Sequence, residues 1–218
     1  MTQLVSPYKD IIQYASISLE PYQMNSDILL NTKLNLKNKV ENKCNKNCFI
    51  VKVHKILDID DGLLIAENLS GNAIYNIKYH ANVCIPVNNT YIIAKILIMN
   101  KKLILATNGP IRIFIPKNNI DTTNFTIDKE IYHKQTNKYL ELDMHVKIFI
   151  INHRISENSL EINSIGILYN IATDKEINKY YSNNFEQNDN YLSLSDEEPT
   201  NELTKKSNDD ENNNNYII

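Results

Sequence analysis

The residues best suited to metal or nucleophilic chemistry are three cysteines and five histidines. Cys44 and Cys48 form one CxxxC pair, while Cys84, His54 and His80 stand on separate segments. A structural zinc site closes with four ligands, usually from two paired motifs. Only one pair is present, so buried or free thiols are expected and no metal. His133, His145 and His153 have no catalytic spacing, and Asp60-Asp61 before Gly62 reads as a turn. Four glycines supply no phosphate-cradling loop. An odd number of cysteines argues against a disulfide framework. No catalytic residue and no cofactor are expected. The remaining chemistry is electrostatic. Lys95, Lys101, Lys102, Arg112, Lys117, Lys147 and Arg154 dot the second half of the chain. On a β-barrel such cations can track a phosphate backbone, each contact adding salt-dependent affinity. Phe114 alternates with Ile113 and Ile115 and so shares a face with Arg112, the arrangement of a base-stacking pair. The commoner fates are ordinary surface lysine and, for Phe114, the core.

These residues need elements to position them, and the chain reads mostly as strand. Cys48 to Leu57 alternates, with Phe49, Val51 and Val53 on one face and Lys52 and His54 on the other. Gly62 to Ala66 is short and apolar. Gly71 to Val87 is a further strand region, which Pro86 should end. Ahead of them, Asn25 to Lys43 reads as a helix capped by Ser26 or Asp27, with Ile28, Leu29, Leu34, Leu36 and Val40 at loosely helical spacing. From Thr90 the pattern becomes a pure strand series: Tyr91 to Met99, Leu103 to Thr107, Ile111 to Ile115, Met144 to Ile151 and Leu160 to Tyr169. Asn108-Gly109-Pro110 is a strong turn, and residues 117–142 read as a polar, irregular insert. Five strands with a long insert after the third are the count and spacing of an OB-fold barrel, which characteristically binds single-stranded nucleic acid on one face.

Composition bounds the rest. The chain has 218 residues and a net charge of −3, but Ser182 to Ile218 holds nine acids against two lysines. The body is therefore mildly basic and the tail acidic. The tail has few aliphatics and an Asn run, so it is expected to be disordered. No run of 18 apolar residues exists and no transmembrane helix is expected. Met1 to Asp10 lacks the form of a secretory signal. The 34 Asn and 33 Ile residues suit an AT-rich genome.

Four stretches resemble the stalk subunit of multisubunit RNA polymerases, the seventh subunit of eukaryotic polymerase II and its archaeal equivalent. They are Ile17-Ser18-Leu19-Glu20-Pro21-Tyr22-Gln23-Met24, then Leu29 to Lys33 with Val40-Glu41 and Cys44, then Ile74 to Val83, then Asn100-Lys101 with Gly109 to Ile115. The resemblance spans residues 15–178 and lies in order and spacing. At the interdomain connection only Pro86 of the family's pattern survives. Leu103-Ile104-Leu105 replaces a Gly and aromatic of the second barrel strand, so one stacking aromatic is missing. The resemblance implies an α+β tip domain over 1–88 that docks on the polymerase core, a five-stranded OB-fold β-barrel over 89–178 and a disordered acidic tail over 179–218. It implies a non-catalytic subunit of a DNA-directed RNA polymerase. Its partners would be the large polymerase subunits, a small stalk partner subunit and nascent single-stranded RNA, with no membrane. A large DNA virus is the expected source, which places the chain in the virion and host cytoplasm, or otherwise in the nucleus. The alternative is a free-standing OB-fold RNA-binding protein in translation or RNA processing.

Overall fold

A computed structural model describes residues 4–64, 69–100, 102–128 and 130–182. Strand β1 (Tyr8–Leu19) alternates polar and apolar residues, so Ile17 and Leu19 turn inward while Ser16 and Ser18 face water. Pro21 follows, lacking an N–H and opening a 3-10 turn that Glu20 and Gln23 close as a capping box. Helix α1 (Ile28–Val40) comes next. The expected cap is not made. Asp27 holds the N-cap position at φ −98°, ψ 26°, outside the extended region from which a cap side chain reaches the first-turn N–H groups. Asn25 instead accepts a hydrogen bond from the Asp27 N–H at 2.9 Å. The helix is also shorter than the expected 25–43. Of its six apolar positions only Leu36 is fully buried, joined by Thr32.

Strands β2 (Lys43–Cys44), β3 (Phe49–Ile59), β4 (Leu63–Leu64) and β5 (Ala73–Cys84) complete an antiparallel sheet of order β1-β5-β3-β2, with β4 also on β5. β5 is central, pairing with β1 from Tyr8↔Cys84 to Leu19↔Ala73, and ends two residues before Pro86. One face of the sheet packs Ile17, Ile50, Val53, Ile77 and Tyr79 against Leu36 of α1. Leu63 and Leu64 are exposed, and residues 65 and 66 of the apolar stretch lie outside the described residues.

Strands β6 (Tyr91–Met99), β7 (Leu103–Asn108) and β8 (Ile111–Pro116) form a meander. The insert is not irregular throughout. It carries a 3-10 turn at Lys117–Asn119 and a three-stranded sheet, β9 (Phe125–Ile127), β10 (Ile131–His133) and β11 (Lys138–Tyr139). Runs of two or three residues are too short to show a period, whereas burial of Phe125, Leu140 and Ile120 against the barrel holds them in place. β12 (His145–Arg154) and β13 (Ile162–Ile171) close the barrel in the order β6-β7-β8-β13-β12, with β12 returning to β6. All neighbours are antiparallel except β8 and β13. This strand order fits the OB-fold. Isoleucine fills the interior, including Ile92, Ile96, Ile104, Ile113, Ile148 and Ile162. Its β-branch is stiff and suits a pleated, crowded surface. Gly166 is required where β13 crosses the Ile150/Asn152 bulge, since a Cβ there would lie 2.5 Å from Ile148 and 3.0 Å from the Phe149 carbonyl.

The two halves share one core. Cys44, Phe49 and Cys84 from the sheet pack into the barrel cluster. Cys44 donates its N–H to Ser159 and accepts one from Asn158, both at 2.8 Å. Residues 174–182 form a helix, opened by Thr173, whose N–H and hydroxyl both donate to Glu176. Its Tyr180 is buried. Asn108 knits these parts together. Its amide donates to the Ile93 carbonyl at 2.6 Å and to the Tyr180 hydroxyl at 3.2 Å, and its carbonyl accepts from Tyr8 at 3.3 Å. Gly109 follows at φ +56°, where a Cβ would collide with the Tyr8 hydroxyl.

Asn108→Ala removes three hydrogen bonds, two of them buried, and strands the Ile93 carbonyl. It should cost about 2–3 kcal/mol and lower the thermal midpoint by ~5–10 °C. Tyr180→Phe should cost less, because it leaves the bond to Ile93 in place. Unfolding monitored by circular dichroism measures both.

Candidate nucleic-acid interface

Register places the outward-facing residues of the barrel in rows. Arg154 pairs with Asn163, Asn163 with Arg112, Arg112 with Thr107 and Thr107 with Lys95. The structure thus sets Arg154, Arg112 and Lys95 on one path across five strands. The next outward row runs through Ile165, Phe114, Leu105 and Ile98. Phe114 is half-buried and takes no part in the core, contrary to its commoner fate. It stays outward because Ile111, Ile113 and Ile115 occupy the interior positions of β8.

The cations fall into two groups. Three are held by carboxylates. Lys95 pairs with Asp143 at 2.8 Å and Arg112 with Glu161 at 2.6 Å, both with exposed or half-exposed side chains. Such pairs contribute little to stability and are weakened by salt. Lys147 is different. Only 11% of its side chain is exposed, and it pairs with Glu176 at 2.5 Å. It anchors the helix at 174–182 to the barrel and faces no open surface. Lys102, Lys117 and Arg154 form the second group. They are exposed, with no ion-pair partner among the described residues. The Lys117 N–H donates to the Lys102 carbonyl at 3.1 Å, so these two lysines stand side by side. Lys101 lies outside the described residues. Beside the lysine pair is a cleft of about 550 Å³ with Leu103, Ile104, Ile127 and Ile131 at its floor and Lys117 and Glu130 on its rim.

The acids that neutralise Lys95, Arg112 and Lys147 were not foreseen, because each pair joins distant parts of the sequence. The helix at 174–182 was not foreseen either, although its Thr173-x-x-Glu176 start is a local motif, and its last four residues replace the disorder expected from 179. A second unforeseen cluster lies on the sheet face away from α1. There Asp10 accepts from Asn82 at 2.9 Å and lies 3.4 Å from His54, whose ring centroid is 5.5 Å from that of His80. Burial lowers the His80 pKa, the neighbouring His54 and Lys55 charges adding to it against Asp10. All three cysteines are free and buried. Burial raises their thiol pKa values, Cys84 most clearly. Among the described residues no three metal-capable side chains converge.

The chain thus joins an OB-type barrel to a helix-backed sheet, and the barrel's outer face sets a cationic row beside an apolar one. The sequence matches no protein-family model. It is 35% identical over 165 residues to a protein of Acanthamoeba polyphaga mimivirus named "Putative DNA-directed RNA polymerase subunit L376", covering 75% of this chain and 83% of that one. The chain belongs to this family of viral DNA-directed RNA polymerase subunits.

Burial pushes the Glu176 carboxyl up, but hydrogen bonds from Lys147 and Thr173 and the Lys147 charge outweigh it and hold it below the usual carboxylate range. A lowered folded-state pKa means that the stability gained is full above the unfolded value and is lost as pH falls through the folded one. Acidification below about pH 4 should therefore release residues 174–182 before the barrel opens. Glu176→Gln should show the same release at neutral pH, at a cost of about 1–2 kcal/mol for leaving Lys147 unpaired. Amide hydrogen exchange across 174–182 against 91–99 reads both effects.

Proposed function

We propose that this chain is a non-catalytic stalk subunit of a DNA-directed RNA polymerase. The N-terminal unit, β1 to β5 with α1, serves as a tip domain that docks on the large polymerase subunits and on a small stalk partner where one exists. The barrel contacts nascent single-stranded RNA. The observation that carries this reading is an OB-ordered barrel in a chain whose relative is named as a DNA-directed RNA polymerase subunit. That membership favours it over a free-standing OB-fold protein of translation or RNA processing. The viral relative supports a virion and host-cytoplasm setting.

The RNA path follows the outer face of β7 and β8. Lys102 and Lys117 stand at one end and Arg112 at the other. From Arg112 to Lys117 an extended strand covers about 17 Å, a few nucleotides of single strand. Phe114 and Leu105 lie between, the aromatic ring available for a base and the apolar neighbours for its edges. A phosphate at Arg112 must displace Glu161, whereas Lys102 and Lys117 have no such competitor among the described residues. The two lysines are therefore the stronger phosphate contacts.

Lys102→Glu with Lys117→Glu should weaken binding of a single-stranded RNA 12-mer about ten-fold. The slope of log K against log salt should become shallower by about 1.4, at ~0.7 for each lost contact. Phe114→Ala should weaken binding about ten-fold with the slope unchanged, the signature of lost stacking. Fluorescence anisotropy across a salt series measures all three. An unchanged affinity and slope in the double-lysine variant would place RNA on another surface.

A further inference from the structure

Helix α1 spends three leucines on solvent. Leu29 is 63% exposed, Leu30 57% and Leu34 49%, while the sheet takes Thr32 and Leu36. Leu30 and Leu34 are one turn apart and form an apolar row. Lys33 and Lys37, also one turn apart, form a basic row beside it. The surroundings are strongly cationic. Between residues 33 and 46 the chain has five lysines and one acid, Glu41, whereas Lys52 and Lys55 pair with Asn82 and His80 and so stand on the other face of the sheet. Glu41 is already engaged, accepting the Val53 N–H at 2.7 Å. Among the described residues none of these lysines reaches a carboxylate within ion-pair distance. Leucines alternating with lysines, without an aromatic on the row, suit an acidic polypeptide better than a base-stacking nucleic acid.

The chain itself contains a segment of matching chemistry. Residues 191–198 read Tyr-Leu-Ser-Leu-Ser-Asp-Glu-Glu, within a tail of nine acids and two lysines. We propose that this segment docks on the solvent face of α1. Laid out extended, Leu192 and Leu194 fall on one side about 6.6 Å apart. Leu30 and Leu34 are about 6 Å apart along the helix. Asp196 continues the same side beyond Leu34 and comes level with Lys37. The tether is long enough. Tyr180 sits in the joint through Asn108, and Cys44, four residues beyond α1, sits in the same joint through Ser159. Ten residues from 182 to 192 span up to ~33 Å. The segment covers leucines that otherwise face water and neutralises the most basic part of the N-terminal unit. A polymerase surface that uses the same face must displace it.

Disulfide trapping in the full chain tests this. Leu34→Cys with Leu194→Cys should cross-link within one chain under mild oxidation, the native cysteines being buried. The rate should exceed by about ten-fold that of Ile12→Cys with Leu194→Cys, which places the first thiol on the opposite sheet face. The excess reflects the raised local concentration of a docked tether. Adding Leu192→Ser, Asp196→Asn, Glu197→Gln and Glu198→Gln leaves the tether length unchanged and should remove the excess. Raising salt from 50 to 500 mM should diminish it. Equal rates for the two cysteine pairs would overturn the proposal. So would a cross-link that forms only between two chains and rises with protein concentration, which would assign the face to a second copy.

Discussion

One buried amide holds the two halves of the molecule in register. Asn108 lies at the end of β7, yet it bonds β6 through Ile93, the first strand of the sheet through Tyr8 and the helix at 174–182 through Tyr180. An amide buried this deeply is costly unless its donors and acceptor are met. Here they are met by three different parts of the chain, so the bonds form only when all three are in place. The Cys44 exchange with Asn158 and Ser159 and the burial of Phe49 and Cys84 in the barrel core bear on the same joint. The N-terminal sheet is thus an extension of the barrel, and a force on one is felt by the other. Such stiffness keeps the barrel at a fixed angle to the sheet.

Electrostatics divides the surface in a way that composition hides. The net charge is −3, with the acids concentrated in the tail. On the barrel, Asp143, Glu161 and Glu176 already take up Lys95, Arg112 and Lys147. What remains for a phosphate backbone is concentrated at Lys102, Lys117 and Arg154. The densest run of positive charge is from Lys33 to Lys46, on α1 and the turn after it, where five lysines meet one acid.

The barrel was legible because its strands are local facts. Tyr91 to Met99 and Leu103 to Thr107 alternate and end at turn residues, and Pro116 stops β8 where the sequence has it stop. The first strand was legible only at its end. Tyr8 to Ser16 has the right period, but Asp10 and Gln13 dilute it, and pairing with every residue of β5 outweighs that polarity. The insert strands were too short to show a period and are held by Phe125, Leu140 and the barrel wall. The site was half legible. Residue types and alternation put Arg112 and Phe114 on one face. They could not show that Lys147 is buried against Glu176, because Glu176 arrives from a helix 29 residues later.

The most direct measurement is affinity capture of the tagged full chain from the cells that express it, at moderate salt, with mass spectrometry of everything retained. A stalk subunit brings down the two largest RNA polymerase subunits in near-equal molar amounts with itself, and they persist after ribonuclease treatment. Recovery of ribosomal or RNA-processing factors, or of RNA alone with the large polymerase subunits absent, would contradict the stalk assignment.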